Sequence, residues 1–297
     1  MMASATASAT PSVPNALYPP DGPQSIGQVL DAGFRVFKVS LVRCLLFGAV
    51  AMIAGQLPNI YSLTTGQPLD AFLHGEPVTI VLSIIGSIAT VYLSAVMLLR
   101  QREIAQGRRQ STRAELAHGL RRLPSVLGVV AVALALLAIV PVGLFVLNDA
   151  GWVSAANQLP LGIGLAMVGL PILWLIPGLA LSIAVAVLTE SGPASALRQG
   201  VGLVVGSWWR TMVTFVMWCV LLAVFNIVAV ILIVMAAPLI GATDVATVTA
   251  GTPVVFVALR ALGLPFLVAI LLTVYGELQV RRQGVDLERR VAGTTQA

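Results

Sequence analysis

Over most of this chain apolar positions do not alternate with polar ones; they run on without interruption. Six such runs stand out, near residues 40–60, 77–99, 123–147, 161–189, 208–238 and 261–278. A run of about 20 apolar residues spans the roughly 30 Å hydrocarbon layer of a bilayer as a helix, and a helix satisfies its own backbone polar groups there. The pattern predicts an all-α polytopic membrane protein with six transmembrane helices. The fourth and fifth runs are too long for a simple crossing: at 1.5 Å per residue, a helix over 161–189 is about 43 Å long. It must tilt, kink or project, and Pro171 and Pro177 supply kinks.

Helical periodicity with a polar face appears before three of the runs. Ser25 and Gln28 have capping-box spacing; Ile26, Val29, Leu30, Phe34 and Phe37 then face one way, and Asp31, Arg35 and Lys38 the other. Thr112 and Glu115 repeat the box, with Leu116, Leu120 and Leu123 against Arg113, Arg121 and Arg122. These read as amphipathic helices lying on a membrane surface. The third, from Ser191-Gly192-Pro193, has only Arg198 and Gln199 as strongly polar residues. It is expected to pack more deeply, with Gly200, Gly202 and Gly206 permitting close approach.

The three stretches share Leu-x-x-Gly: Leu30/Gly33, Leu116/Gly119 and Leu197/Gly200, at near-equal separations. Each precedes a span, a turn and a second span. A parallel three-fold internal repeat follows, over about 25–110, 111–190 and 191–290. The organisation expected is a disordered cytoplasmic tail at 1–24, a six-span membrane domain at 25–290 with three cytoplasmic interfacial helices, and a C-terminal tail at 291–297. The Ala, Ser, Thr and Pro of residues 1–24 form no signal peptide.

Composition agrees with the pattern. The 297 residues are 58% apolar and 10% charged, and mean hydropathy is +0.96; a soluble domain carries about 25% charged residues. The net charge of +5 marks a membrane side before it marks nucleic acid. All of the 17 Lys and Arg residues except Arg260 fall on one side of the six-span arrangement. By the positive-inside rule both termini are cytoplasmic, and the expected location is a bacterial inner (cytoplasmic) membrane. The partners expected are anionic membrane lipids, contacted by Arg35, Lys38, Arg113, Arg121 and Arg122, and partner membrane proteins, with no nucleic acid. No oligomeric state follows from the sequence.

The closing stretch, Tyr275 to Glu288 ("YGELQVRRQGVDLE"), resembles the end motif of the glycerophosphoryl diester phosphodiesterase membrane-domain family. Tyr275, Leu278, Arg281, Gly284, Asp286, Leu287 and Glu288 match; Glu277, Gln279 and Gln283 replace Asp, Arg and Glu. Glu190, Ala196, Leu197, Arg198, Trp209 and Arg210 are similar to an earlier family stretch, with Gly200 and Val201 in place of Ser-Trp, and residues 25–37 resemble its start. The resemblance covers most of 25–290. It implies a stand-alone membrane module without the separate catalytic barrel of better-known members.

Reactive groups are scarce. No His-x-x-His, Gly-x-Ser-x-Gly, paired intramembrane carboxylate or phosphate-cradling glycine loop occurs, and Cys44, Cys219, His74 and His118 share no metal-ligand spacing. No catalytic residue, metal or cofactor is expected. Asn226 is expected to hydrogen-bond across helices, at about 0.6 kcal/mol, and Arg260 to snorkel to outer head groups. Glu103, Glu190 and Glu277, at the same ends of the second, fourth and sixth spans, are expected to pair with Arg198, Arg210 or Arg281 in a structural ring. The function expected is a non-enzymatic module organising lipid or binding partner membrane proteins. The alternative is a transporter or channel for a lipid-like or small amphipathic solute, with a pathway near Asn226, Arg260, Pro171 and Pro177.

Overall fold

Helix starts and stops follow local chemistry. In the computed structural model, which describes residues 17–20, 22–65, 76–108, 110–150, 158–236 and 245–294, the described residues form helices and no strands. In chain order these are α1 (Ile26–Gly55), α2 (Leu57–Thr65), α3 (Pro77–Ala105), α4 (Thr112–Asp149), α5 (Gln158–Leu188), α6 (Pro193–Val204), α7 (Trp208–Ala236) and α8 (Val245–Thr294). Six stretches are long and apolar enough to cross a membrane, one within each of α1, α3, α4, α5, α7 and α8. They coincide with the six apolar runs.

Ser25 caps α1 as its spacing predicts: its hydroxyl accepts from the Gln28 N–H at 3.3 Å, and the Gln28 side chain accepts from the Ser25 N–H at 2.7 Å. The amphipathic stretch beyond it is not a separate element. No Pro or Gly lies between Phe34 and Phe47, so the helix runs straight into the first span. The second amphipathic stretch likewise merges into the third span. Its cap is Ser111, which accepts from the Ala114 N–H, and not Thr112. Pro124 lies at the junction without ending α4; a proline removes one N–H from a helix, and α4 continues through both Pro124 and Pro141. Only α6 stands alone. Pro193 at its first turn starts it, and Gly206, at φ +91°, makes the turn into α7 in a backbone conformation that residues with a Cβ rarely adopt.

Two lengths differ from the sequence expectation. The sixth run, 261–278, is the middle of a 50-residue helix, about 75 Å long at 1.5 Å per residue. It continues to Thr294, so the proposed C-terminal tail is largely helical; residues 295–297 lie outside the described residues. At the other end, the predicted disordered tail includes an ordered portion. Leu17 donates its N–H to the Ala105 carbonyl at 2.7 Å, and Tyr18 is buried. Residues 1–16 and 21 lie outside the described residues.

The packing has a simple plan. The helices α3, α5 and α8 touch one another. Around them, α1 packs against α8 and α3, α4 against α3 and α5, and α6 and α7 against α5 and α8. Half of the apolar window of α5 (50%) and of α8 (56%) is buried, against 6% in α4 and 11% in α7. The outer helices present apolar side chains outward, among them Val42, Leu134, Phe145 and Ile227, as lipid contact requires and water does not tolerate.

The three Leu-x-x-Gly glycines sit at these contacts. A methyl group on Gly33 would overlap Ile270 of α8, one on Gly119 would overlap Val96 of α3, and one on Gly200 would overlap Ser182 of α5. Each lets its helix approach a neighbour closely. Gly202 and Gly206, expected to do the same, have nothing within 4 Å of an added Cβ.

Candidate functional site at the arginine-rich end

Polar chemistry concentrates at the ends of α3 and α5, the starts of α4 and α7, and the Glu277–Arg281 turn within α8. The best-buried unit joins α3 to α4. Arg100 Nε donates to Glu115 Oε2 at 2.7 Å, Nη2 donates to Thr112 Oγ1 at 2.8 Å, and Nη1 donates to the Arg43 carbonyl at 3.0 Å. The guanidinium carbon lies 4.5 Å from the centre of the Phe47 ring. The side chains of Arg100 and Glu115 are 12% and 4% exposed, so this pair is desolvated and satisfied at once. Glu115 is therefore an ion-pair partner rather than the reciprocal member of a capping box. Sequence reasoning missed the pair. The signal was there: Arg100 ends a span, and Glu115 lies in the first turn after a short connection.

Glu103, the first acid of the expected ring, lies nearby. It lines a cavity of about 290 Å³ with Arg43, Arg100 and Ile104; Arg108, Gln110, Thr112 and Glu115 complete the wall. Glu190 pairs with Arg122 at 2.8 Å, not with Arg198 or Arg210. That pair ties α4 to the end of α5, and the Ser125 hydroxyl, donating to the Ser191 carbonyl at 3.0 Å, reinforces it. Glu277, 3% exposed, pairs with Arg281 one turn on and with Arg210 of α7 at 3.6 Å. Arg281 also donates to the Gln24 carbonyl at 3.2 Å, and Arg282 donates to the Gly202 carbonyl. Arg198 is exposed, and no acid among the described residues pairs with it.

The N-terminal segment closes the same end. Tyr18 covers Gly276, where a Cβ would strike its ring. Burial, reinforced by the nearby Tyr275 and partly offset by Arg102, pushes the Tyr18 hydroxyl up to about 12. An aromatic residue in a Pro-rich stretch was the available signal for this docking.

The residues assigned to head groups divide. Arg35, Lys38, Arg113 and Arg121 are exposed, Arg35 also pairing with Asp31 at 2.5 Å on its own helix. Arg122 is half-buried and pairs with the exposed Glu190. The pathway residues are not brought to the cavity. Asn226 donates to the Leu222 carbonyl of its own helix at 2.7 Å, and among the described residues it makes no hydrogen bond to another helix. Arg260 and Pro171 are exposed, Pro177 is buried, and α5 runs as one helix through both prolines. Trp208 anchors the start of α7: its indole N–H donates to the Trp174 carbonyl at 2.7 Å, and its ring stacks between Trp174 and Trp209. Among the described residues, no three His, Cys, Asp or Glu side chains are grouped to hold a metal ion. Cys44 is buried and Cys219 exposed, both unpaired; His118 is exposed, and His74 lies outside the described residues.

Fold and site together define the class: a polytopic, all-helical membrane architecture with a cross-linked, arginine-rich end. No protein-family model, curated protein or solved structure matches the chain.

Proposed function

We propose that the chain is a non-enzymatic integral membrane module that gathers anionic lipid at its arginine-rich end. That end faces the cytoplasm of a bacterial inner membrane. The observation that carries the reading is the division of charge. The acids Glu115, Glu190 and Glu277 are each ion-paired with an arginine, while Lys38, Arg113 and Arg121 stay exposed beside an apolar belt. Exposed cations at that depth attract anionic head groups, by about 1 kcal/mol each. A lipid-ordered surface of this kind also suits partner membrane proteins. The transporter reading has less to stand on, since it called for a broken helix and α5 is continuous through Pro171 and Pro177.

The module is built as three parallel copies of one unit. Three observations support this. The equally spaced acids Glu103, Glu190 and Glu277 lie in the last turn of α3, just past the end of α5 and within α8. Each Leu-x-x-Gly glycine packs on the preceding unit's second span, with the first unit packing on the last. Val96 and Ile270, two of the residues so contacted, lie at the same distance before Glu103 and Glu277. The first parts of α1 and α4, with α6, are then the cytoplasmic interfacial segments. The likeness of Tyr275–Glu288 to the glycerophosphoryl diester phosphodiesterase membrane-domain motif fits a stand-alone module of that kind.

The test is lipid selection. The detergent-purified full chain, studied by native mass spectrometry with equal phosphatidylglycerol and phosphatidylcholine, should retain the anionic lipid preferentially. Lys38→Gln/Arg113→Gln/Arg121→Gln should erase the preference. Equal retention of the two lipids by the unaltered protein would sink the reading.

A further inference from the structure

The cavity between α1, α3 and the start of α4 is more than a by-product of the ion pairs around it. Arg100 is spent there: its donors go to Glu115, Thr112 and the Arg43 carbonyl, and its face lies on Phe47. It acts as a fixed wall, and it cancels the charge of Glu115 internally. What remains open to the cavity is different in character. Arg43 and Arg108 line it, both exposed, and no acid among the described residues is ion-paired with either. The Thr112 oxygen already accepts from Arg100, so its own O–H can donate inward. Against these donors stands one carboxylate not matched by Arg100, that of Glu103.

We propose that this cavity binds a phosphate group. Two guanidiniums from different elements can take separate phosphate oxygens in charge-assisted hydrogen bonds, with the Thr112 hydroxyl as a third donor. The volume of about 290 Å³ lies at the small end of ligand pockets, which run from roughly 300 Å³ upward. It admits a phosphate with a small ester substituent and leaves no room for acyl chains. The group is carried either by a phospholipid whose chains stay in the bilayer or by a soluble phosphate. For the lipid source the inference rests on the lipid-gathering function above; the site itself does not. Glu103 acts as a filter, setting a like charge against an anion and so lowering affinity.

The experiment uses the detergent-purified full chain and two probes, phosphatidylglycerol by native mass spectrometry and inorganic phosphate by titration calorimetry. Each cation near a membrane surface contributes about 1 kcal/mol, or roughly fivefold in affinity. Arg43→Gln/Arg108→Gln should therefore weaken binding by at least tenfold, in the lipid arm alone if the source is lipid and in both arms if free phosphate suffices. Glu103→Gln, which leaves both arginines and the Arg100–Glu115 pair in place, should tighten the same binding severalfold. Unchanged binding in both variants, or weaker binding in Glu103→Gln, would overturn the site. The surface variant Lys38→Gln/Arg113→Gln/Arg121→Gln separates the two ideas. If it loses anionic lipid while the cavity variant loses neither lipid nor inorganic phosphate, the site fails and the lipid-gathering function stands. If the cavity variant loses inorganic phosphate while the unaltered protein shows no lipid preference, the site stands and that function fails.

Discussion

Gly200 and Gly202 lie two positions apart in α6 and have opposite surroundings. An added methyl group on Gly200 would meet Ser182 of α5, whereas one on Gly202 would meet nothing within 4 Å. Gly200→Ala should cost about 1–3 kcal/mol by overpacking and lower the thermal midpoint in detergent. Gly202→Ala should leave the midpoint unchanged or raise it, since glycine inside a helix costs up to about 1 kcal/mol against alanine. A matched fall in both variants would refute the contact. The sequence offered these residues as equivalent, because a glycine in a helix says where a neighbour could approach closely and not which neighbour lies against it. Tyr18 teaches the same lesson. Its pKa is raised from the ordinary 10 to about 12 in the folded protein, so the docked segment favours the neutral phenol. The stability this gives is fully present below pH 10 and is lost as the pH rises through 12. Protease sensitivity of the N-terminal segment should therefore increase between pH 10 and 12. Tyr18→Phe, which cannot ionise, should abolish the increase; an identical pH response in that variant would place its cause elsewhere.

The element boundaries show where periodicity informs and where it does not. The helices that begin after Ser25 and after Ser111 continue unbroken into spans. Face polarity changes along a helix without a break in its backbone, and of the three stretches that precede a span α6 alone is closed off, by the positive φ of Gly206. The Arg100–Glu115 pair joins two such elements and was hidden for another reason: pairing across a connection depends on the angle at which two helices meet. Removing one partner of a buried pair costs about 3–5 kcal/mol, whereas replacing both by apolar residues can be neutral. Glu115→Ala is expected to destabilise the α3–α4 junction by about that amount, read as a lower unfolding midpoint in detergent. Arg100→Met/Glu115→Leu should recover most of the loss. If the double variant were as unstable as the sum of its single changes, the two side chains would not be acting as a pair.

At the scale of the whole molecule, six spans were legible because the hydrocarbon layer imposes one length and one kind of backbone pairing. The arrangement of those spans was not. Nothing in their composition distinguishes α5 and α8, half buried, from α4 and α7, which have few buried positions, since lipid and protein interior are equally apolar to a leucine. The spatial plan does give the basic residues a common place. Arg43, Arg100, Arg122, Arg210 and Arg281 all enter contacts at one end, whereas Arg260 stands exposed, more than four turns back along α8 from the Arg281–Glu277 pair. Lys and Arg near span ends resist transfer across the membrane, so the crowded end should be cytoplasmic. A reporter that works only in the cytoplasm should be active when fused after Ala297, and one that works only after export should be silent there. Fusions within 66–75, between the first two spans, should give the reverse pair of results. Export-dependent activity at the C-terminus would invert the molecule, placing the phosphate cavity and the exposed Lys38, Arg113 and Arg121 on the leaflet that the positive-inside rule assigns to Arg260 alone.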